Sequence, residues 1–261
     1  MQIIPHTSQM NSISERVSFS DGENTLSATW TFPRTGKNWP LVILATGDGP
    51  NGSKGQTWVN LVPMLIERGL ATFLFDFSGL GDSPGVYREL TLSLGRKNFR
   101  GVMKYIQTNG THDKSRVGVI GASYGGNIAL LEAANFPFIK AVGLKSPSSF
   151  LPEGYEKQYG SALVAQWGKD GFSETVGLNY TAVLDSLCHN TYAEAAKITV
   201  PIRIVHGTED TAVPIRQVRD LIKILPNGSI LEIVGADHWY AEGDQWKTMA
   251  NDIVQFMAAK L

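Results

Sequence analysis

A chain of 261 residues, 43% of them hydrophobic, is long enough to bury one large α/β core. Its formal charge of -1 leaves no basic excess to neutralise phosphates, which argues against nucleic acid or an anionic membrane as the main partner. The one cysteine, Cys188, excludes an internal disulfide and reads as a small apolar filler in a helix; no Cys/His/carboxylate cluster has metal spacing, so neither metal nor cofactor is expected.

The first twenty residues are studded with Ser, Asn, Thr and Glu and hold no apolar stretch of the signal-peptide kind. No run is long enough to span a bilayer, so the expected setting is cytoplasmic. Two alternating segments follow, 16–20 and 26–32, joined at Asp21-Gly22-Glu23-Asn24 as an antiparallel hairpin at a sheet edge. The rhythm then changes to near-continuous apolar runs at 41–45, 71–75, 117–120, 141–144, 202–205 and 230–234, the pattern of strands covered on both faces. Helical periodicity fills the gaps at 58–67, 92–107, 123–135, 215–225 and 245–259. This alternation predicts a mostly parallel, doubly wound α/β sheet of eight strands with right-handed crossovers.

The connection from Leu144 to Pro201 is too long for a simple crossover. It is rich in aromatic residues and glycine, with weak helical patterns over 159–167 and 181–187. It leaves the carboxyl side of a strand, where open α/β sheets bind ligands, and is read as a cap over the site. The chain thus divides into a core at 1–146 and 200–261 and a cap insertion after the sixth strand at 147–199.

Gly121-Ala122-Ser123-Tyr124-Gly125 joins the run at 117–120 to a helical pattern, giving strand, sharp turn and helix with Ser123 at the apex. A serine hydroxyl needs a base to become a nucleophile, and the base needs an orienting acid. Of the five histidines, His6 sits in a polar arm, His112 precedes the Ser123 strand at the opposite sheet edge, and His189 lies in the insert. His206 ends a strand and reads as packing or as support behind the catalytic residues, whereas His238 follows the last strand on a loop at the carboxyl edge and is the expected base. Asp210, on the loop after 202–205, is the expected acid; Glu209 is its nearest rival, and Asp237 is set aside because sequence neighbours rarely point at each other.

The chain resembles an α/β-hydrolase of the capped serine-esterase type over essentially its whole length. The matching motifs are Gly-Ala-Ser-Tyr-Gly at 121–125, Asp-Phe-Ser-Gly-Leu-Gly-Asp-Ser at 76–83, His-Gly-Thr-Glu-Asp at 206–210 and Gly-Ala-Asp-His at 235–238, with the chain order Ser123, Asp210, His238. The stretch from Asn190-Thr191-Tyr192 through Pro201 to His238 is most similar to bacterial cinnamoyl (feruloyl) esterases. The resemblance implies an oxyanion hole made by the backbone amides of Tyr124 and Asp48, and a structural role for the 76–83 loop. It departs from the family at Thr46-Gly47, where His-Gly is usual. An Asp48 carboxylate beside an oxyanion would be unfavourable, so it is expected to turn outward or to be neutralised, with Lys54 as its partner. The loop at 46–50 lacks the lysine and spacing of a phosphate cradle.

Gly47, Phe150, Tyr155, Tyr159, Trp167, Phe172 and Trp239 are expected to line the substrate pocket. The expected activity is hydrolysis of small-molecule carboxylic esters through an acyl-enzyme on Ser123, with aromatic or medium-chain acyl groups preferred. A serine peptidase or amidase of the same fold is the first alternative. A non-catalytic ligand-binding relative is disfavoured because all three positions of the triad are filled.

Overall fold

The computed structural model describes residues 12–261, so His6 lies outside the described residues. Strands β1 (Ser12–Ser20) and β2 (Thr25–Pro33) form the expected hairpin. Asp21 closes its turn by accepting the amides of Glu23 and Asn24. Strand β3 (Leu41–Ala45) leads through helix α1 (Gln56–Glu67) to β4 (Ala71–Phe75), and α2 (Leu92–Thr108) leads to β5 (Val117–Ala122). Helix α3 (Tyr124–Glu132) precedes β6 (Ile139–Lys145). The segment after β6 folds into α4 (Leu151–Tyr159), α5 (Ser161–Asp170), α6 (Thr181–Ser186) and α7 (Thr191–Ala195). The chain closes with β7 (Ile202–Gly207), α8 (Ile215–Ile224), β8 (Gly228–Ile233) and α9 (Gln245–Lys260).

The eight strands form one sheet in the order β1-β2-β4-β3-β5-β6-β7-β8, with β2 antiparallel to both neighbours and the remaining pairs parallel. Helices cover both faces, which is why the inner strands β3, β4 and β5 are buried throughout, whereas the edge strand β8 is only partly buried. Along β3, Leu41, Ile43 and Ala45 join the core made with Phe99 of α2, Ile128 of α3 and Val218 of α8. Val42 and Leu44 point the other way, into Trp58 and Leu61 of α1 and Ile253 and Met257 of α9. Because β3 is flanked by β4 on one side and β5 on the other, the connections leaving β3 and β5 diverge, opening a crevice at their carboxyl ends.

The insert differs from its expected outline. A single helix over 159–167 is replaced by α4 and α5, which meet at Gly160 with φ of 84° and ψ of 147°, a conformation a side chain would resist. Helix α7 was not expected; the Asn190 side chain caps it by accepting the Ala193 amide at 3.0 Å. Cys188 is not a buried filler but an exposed residue beyond the end of α6, where the thiol reaches the Leu184 carbonyl at 3.6 Å. Among the described residues, no helix is long and apolar enough to cross a membrane.

His112 sits in the loop before β5, buried against the Trp30 ring at 5.4 Å between centroids, and neither ring nitrogen has a partner. Burial, helped by the charge of Lys114, pushes the imidazole down to about 4. The unfolded chain takes up this proton near its ordinary value of about 6.5, so it binds more protons than the folded chain between those limits. Stability is therefore expected to fall as pH drops from about 6.5 to about 4. His112→Phe should flatten that part of a melting-temperature profile; parallel wild-type and variant profiles would remove His112 as a source of the slope.

Candidate active site

Ser123 stands between the last residue of β5 and the first of α3 with φ of 49° and ψ of -113°, a region that L-residues avoid at a cost of about 1–3 kcal/mol. Packing on both sides enforces the turn. A Cβ on Gly121 would come within 2.6 Å of the Gly125 carbonyl oxygen, and one on Gly125 within 2.3 Å of the Ala45 and Thr46 oxygens at the end of β3. The Ser123 amide donates to Lys145 O at 3.0 Å, and its carbonyl accepts the amides of Asn127 at 3.0 Å and Ser148 at 3.2 Å. The backbone is thus pinned to β6 and α3 while the side chain faces the crevice.

His238, on the loop after β8, lines the same cavity as Ser123. Its Nδ1 donates to Asp210 Oδ2 at 2.7 Å, and Asp210 Oδ1 accepts the amides of Ala212 at 2.9 Å and Val213 at 2.7 Å. Burial alone would raise the Asp210 carboxyl, but the hydrogen bond from His238, the charges of His238 and His206 and the Val213 amide more than reverse this, so the group stays anionic. An anionic Asp210 fixes the proton on His238 Nδ1 and leaves Nε2 as an acceptor.

His206 is fully buried behind this pair, its Nε2 3.1 Å from Val213 O and 3.3 Å from Asp210 Oδ2. Since a carbonyl only accepts, Nε2 carries the proton and braces the Asp210 carboxylate. Glu209 is exposed, and the Asp237 carboxylate accepts the amides of Trp239 and Ala241 rather than facing the imidazole. His189 is held far from the crevice by Ser93 Oγ at 3.1 Å and Arg96 at 3.0 Å.

The cavity has a volume of about 720 Å³ and is walled by Gly47 and Asp48 after β3, Tyr87, Tyr155 and Tyr159, and Trp239 beside His238. Three residues expected there are elsewhere. Phe150 and Phe172 are 42% and 38% exposed on the outer surface. Trp167 is 1% exposed and one layer back, donating its indole N–H to Leu178 O at 2.8 Å and meeting Tyr155 edge-on at 5.2 Å.

Lys54 does not neutralise Asp48, because its ammonium pairs with Asp82 at 2.5 Å. The Asp48 carboxyl stays at the cavity wall, raised by burial against the opposing charge of His238 and its own amide. Asp76, in the 76–83 loop, is a tie between loops: it accepts the amide and hydroxyl of Ser53 at 2.5 and 2.9 Å and the Asp82 amide at 3.0 Å.

A second cavity of about 640 Å³ lies between the β1–β2 hairpin and α1, and among the described residues no histidine, cysteine or tyrosine lines it. Among the described residues, no group of three His, Cys, Asp or Glu side chains could hold a metal ion.

Residues 60–261 match the model of the prolyl oligopeptidase family, peptidase family S9. The chain belongs to that family. The quorum-quenching protein AidA of Acinetobacter baumannii is 27% identical over 132 residues, 50% of this chain and 43% of AidA. The uncharacterised protein YcjY of Escherichia coli is 29% identical over 141 residues, 51% of this chain and 45% of YcjY. Each match thus spans less than half the length of the curated relative. Est1E from Butyrivibrio proteoclasticus, solved with ferulic acid bound, superposes with a TM-score of 0.81 at 24% identity, covering 94% of this chain and 98% of that one. At that identity the superposition shows a shared α/β-hydrolase fold.

Within this member of the prolyl oligopeptidase family, the sequence reading missed Lys145. The residue ends β6, lines the cavity, and donates from Nζ to the carbonyl of His238 at 2.8 Å while lying 5.0 Å from the centre of the Tyr240 ring. Burial pushes its ammonium down to about 8, against the pull of Asp210 and Asp237. Tyr240 completes the support by donating to Val205 O at 3.0 Å. The available signal was a lysine set at the carboxyl end of an otherwise apolar strand.

Proposed function

We infer that the protein is a serine hydrolase of carboxylic esters. The observation that carries the reading is the 2.7 Å His238–Asp210 bond facing the same cavity as a serine held at positive φ. His238 Nε2 takes the Ser123 proton as the hydroxyl attacks the ester carbonyl. The amides of Asp48 and Tyr124 receive the developing oxyanion, the latter at the N-terminus of α3 where the helix dipole adds to the attraction. His238 then protonates the leaving alcohol, and a water activated by the same imidazole releases the acid. Asp210, anionic throughout, stabilises the imidazolium between the steps.

The aromatic and aliphatic wall formed by Tyr155, Tyr159, Leu151, Val176 and Leu178 supports aromatic or medium-chain esters, with the insert acting as a cap. The ferulic acid in the Est1E structure is of the same chemical kind. The family match favours a second reading, cleavage of peptides or aminoacyl amides. A fluorophosphonate probe should label Ser123 once, and phenyl esters should turn over at least about 100-fold faster than aminoacyl anilides. Anilide cleavage as fast as ester cleavage would establish the peptidase instead, and an unlabelled Ser123 in folded protein would defeat both.

A further inference from the structure

Among the described residues, Asp48 is the only acidic one in the cavity wall, and none supplies an ammonium or guanidinium to pair with it. Lys54 is held by Asp82, and the Lys145 ammonium is committed to the His238 carbonyl. Three tyrosines share the wall with this carboxylate: Tyr87 and Tyr159, half-buried, and Tyr155, buried. Each phenol is raised first by burial and then by the negative charge of Asp48, with which all three line one cavity.

A half-buried carboxylate beside aromatic rings attracts a cation twice, through direct charge and through the negative faces of the rings. It offers a neutral ligand nothing equivalent and repels an anion. The cavity of about 720 Å³ has room for an acyl or alcohol group bearing a trimethylammonium head.

We propose that Asp48, Tyr87, Tyr155 and Tyr159 form a cation subsite, and that the preferred esters carry an alkylammonium group on the acyl or the alcohol side of the scissile bond. The proposal rests on the ester-hydrolase reading. It also removes an electrostatic conflict in that reading. A lone Asp48 carboxylate opposes the oxyanion that its own backbone amide must hold, and an ammonium on the substrate offsets that opposition. The substrate then brings the counter-charge that the described residues do not provide.

Two ester pairs differing only by a charge test this: butyrylcholine against its carbon isostere 3,3-dimethylbutyl butyrate, and the phenyl ester of γ-butyrobetaine against its carbon isostere. The wild-type protein is expected to favour the cationic member of at least one pair by about 10-fold or more in kcat/KM. Asp48→Asn should bring that ratio close to one, whatever its overall rate. Phenyltrimethylammonium should compete with a neutral ester in the wild type, raise the melting temperature of Ser123→Ala, and do neither once Asp48 is also changed to asparagine.

Cleavage of both members of both pairs with no charge preference would overturn the subsite and leave the hydrolase reading standing. A preference that survives Asp48→Asn would overturn the assignment to Asp48. No ester cleavage together with no fluorophosphonate label would overturn the hydrolase reading and the subsite with it.

Discussion

Ser123→Ala is expected to lower kcat on a neutral phenyl ester by about 10⁶-fold, leaving about 10³–10⁴ over the uncatalysed rate from the amide donors and binding alone. The fold should survive, because the bonds that hold this residue, to Lys145 O and from the amides of Asn127 and Ser148, are all made by its backbone. Ser123→Gly should be as inactive yet melt higher than Ser123→Ala. Glycine relieves a φ of 49° whose strain costs about 1–3 kcal/mol, and forfeits about 0.4–1 kcal/mol through a freer unfolded chain. Turnover by purified Ser123→Ala within about 10-fold of wild type would place the nucleophile elsewhere. A glycine variant melting no higher than the alanine variant would show that the turn is unstrained.

Asp210→Asn is expected to cost about 10⁴-fold in kcat. The carboxamide oxygen can keep the bonds from the Ala212 and Val213 amides, which turns its NH₂ group toward His238 Nδ1. That nitrogen must then accept, the proton moves to Nε2, and the imidazole can no longer take a proton from Ser123. The same NH₂ would face the Nε2–H of His206, which lies 3.3 Å from Oδ2, so some loss of stability should accompany the loss of rate. Single-turnover kinetics and a thermal melt separate the two effects. A fall in kcat of less than about 10-fold in folded variant would mean that Asp210 does not set the tautomer.

The elbow was legible because three local signals agree there: an apolar run, glycines on both sides of a serine, and a helical pattern beyond. The β3-to-β7 runs were legible for a related reason, since strands covered on both faces leave few polar positions, whereas the edge strand β8 is only partly buried. What escaped depends on partners distant in sequence. Trp167 looked like a pocket residue because a tryptophan in an aromatic insert has no local sign of direction; Leu178 O and the edge of Tyr155 decide it.

Lys54 and Asp48 are near in sequence, but Asp82 arrives from the loop after β4 and takes the ammonium. Helix α4 was overlooked because Pro152 and Gly154 weaken its local propensity. Proline is tolerated in the first turn, and Gly154 lets the helix approach Ala212, whose carbonyl oxygen would lie 3.2 Å from an added Cβ.

The strand order has a consequence for biosynthesis. The turn bearing Ser123 leaves the ribosome with β5, whereas Asp210 and His238 arrive much later, after β7 and β8. The padding beneath β5 comes later still: Met257 of α9 fills the space over Gly118, reaching within 2.3 Å of where a Cβ would be. A nascent chain therefore displays the apolar underside of its central strands, including Ile120 and Ala141, until α9 docks. The period of greatest exposure to aggregation, and to help from chaperones, is set by the translation of the last strands and helix.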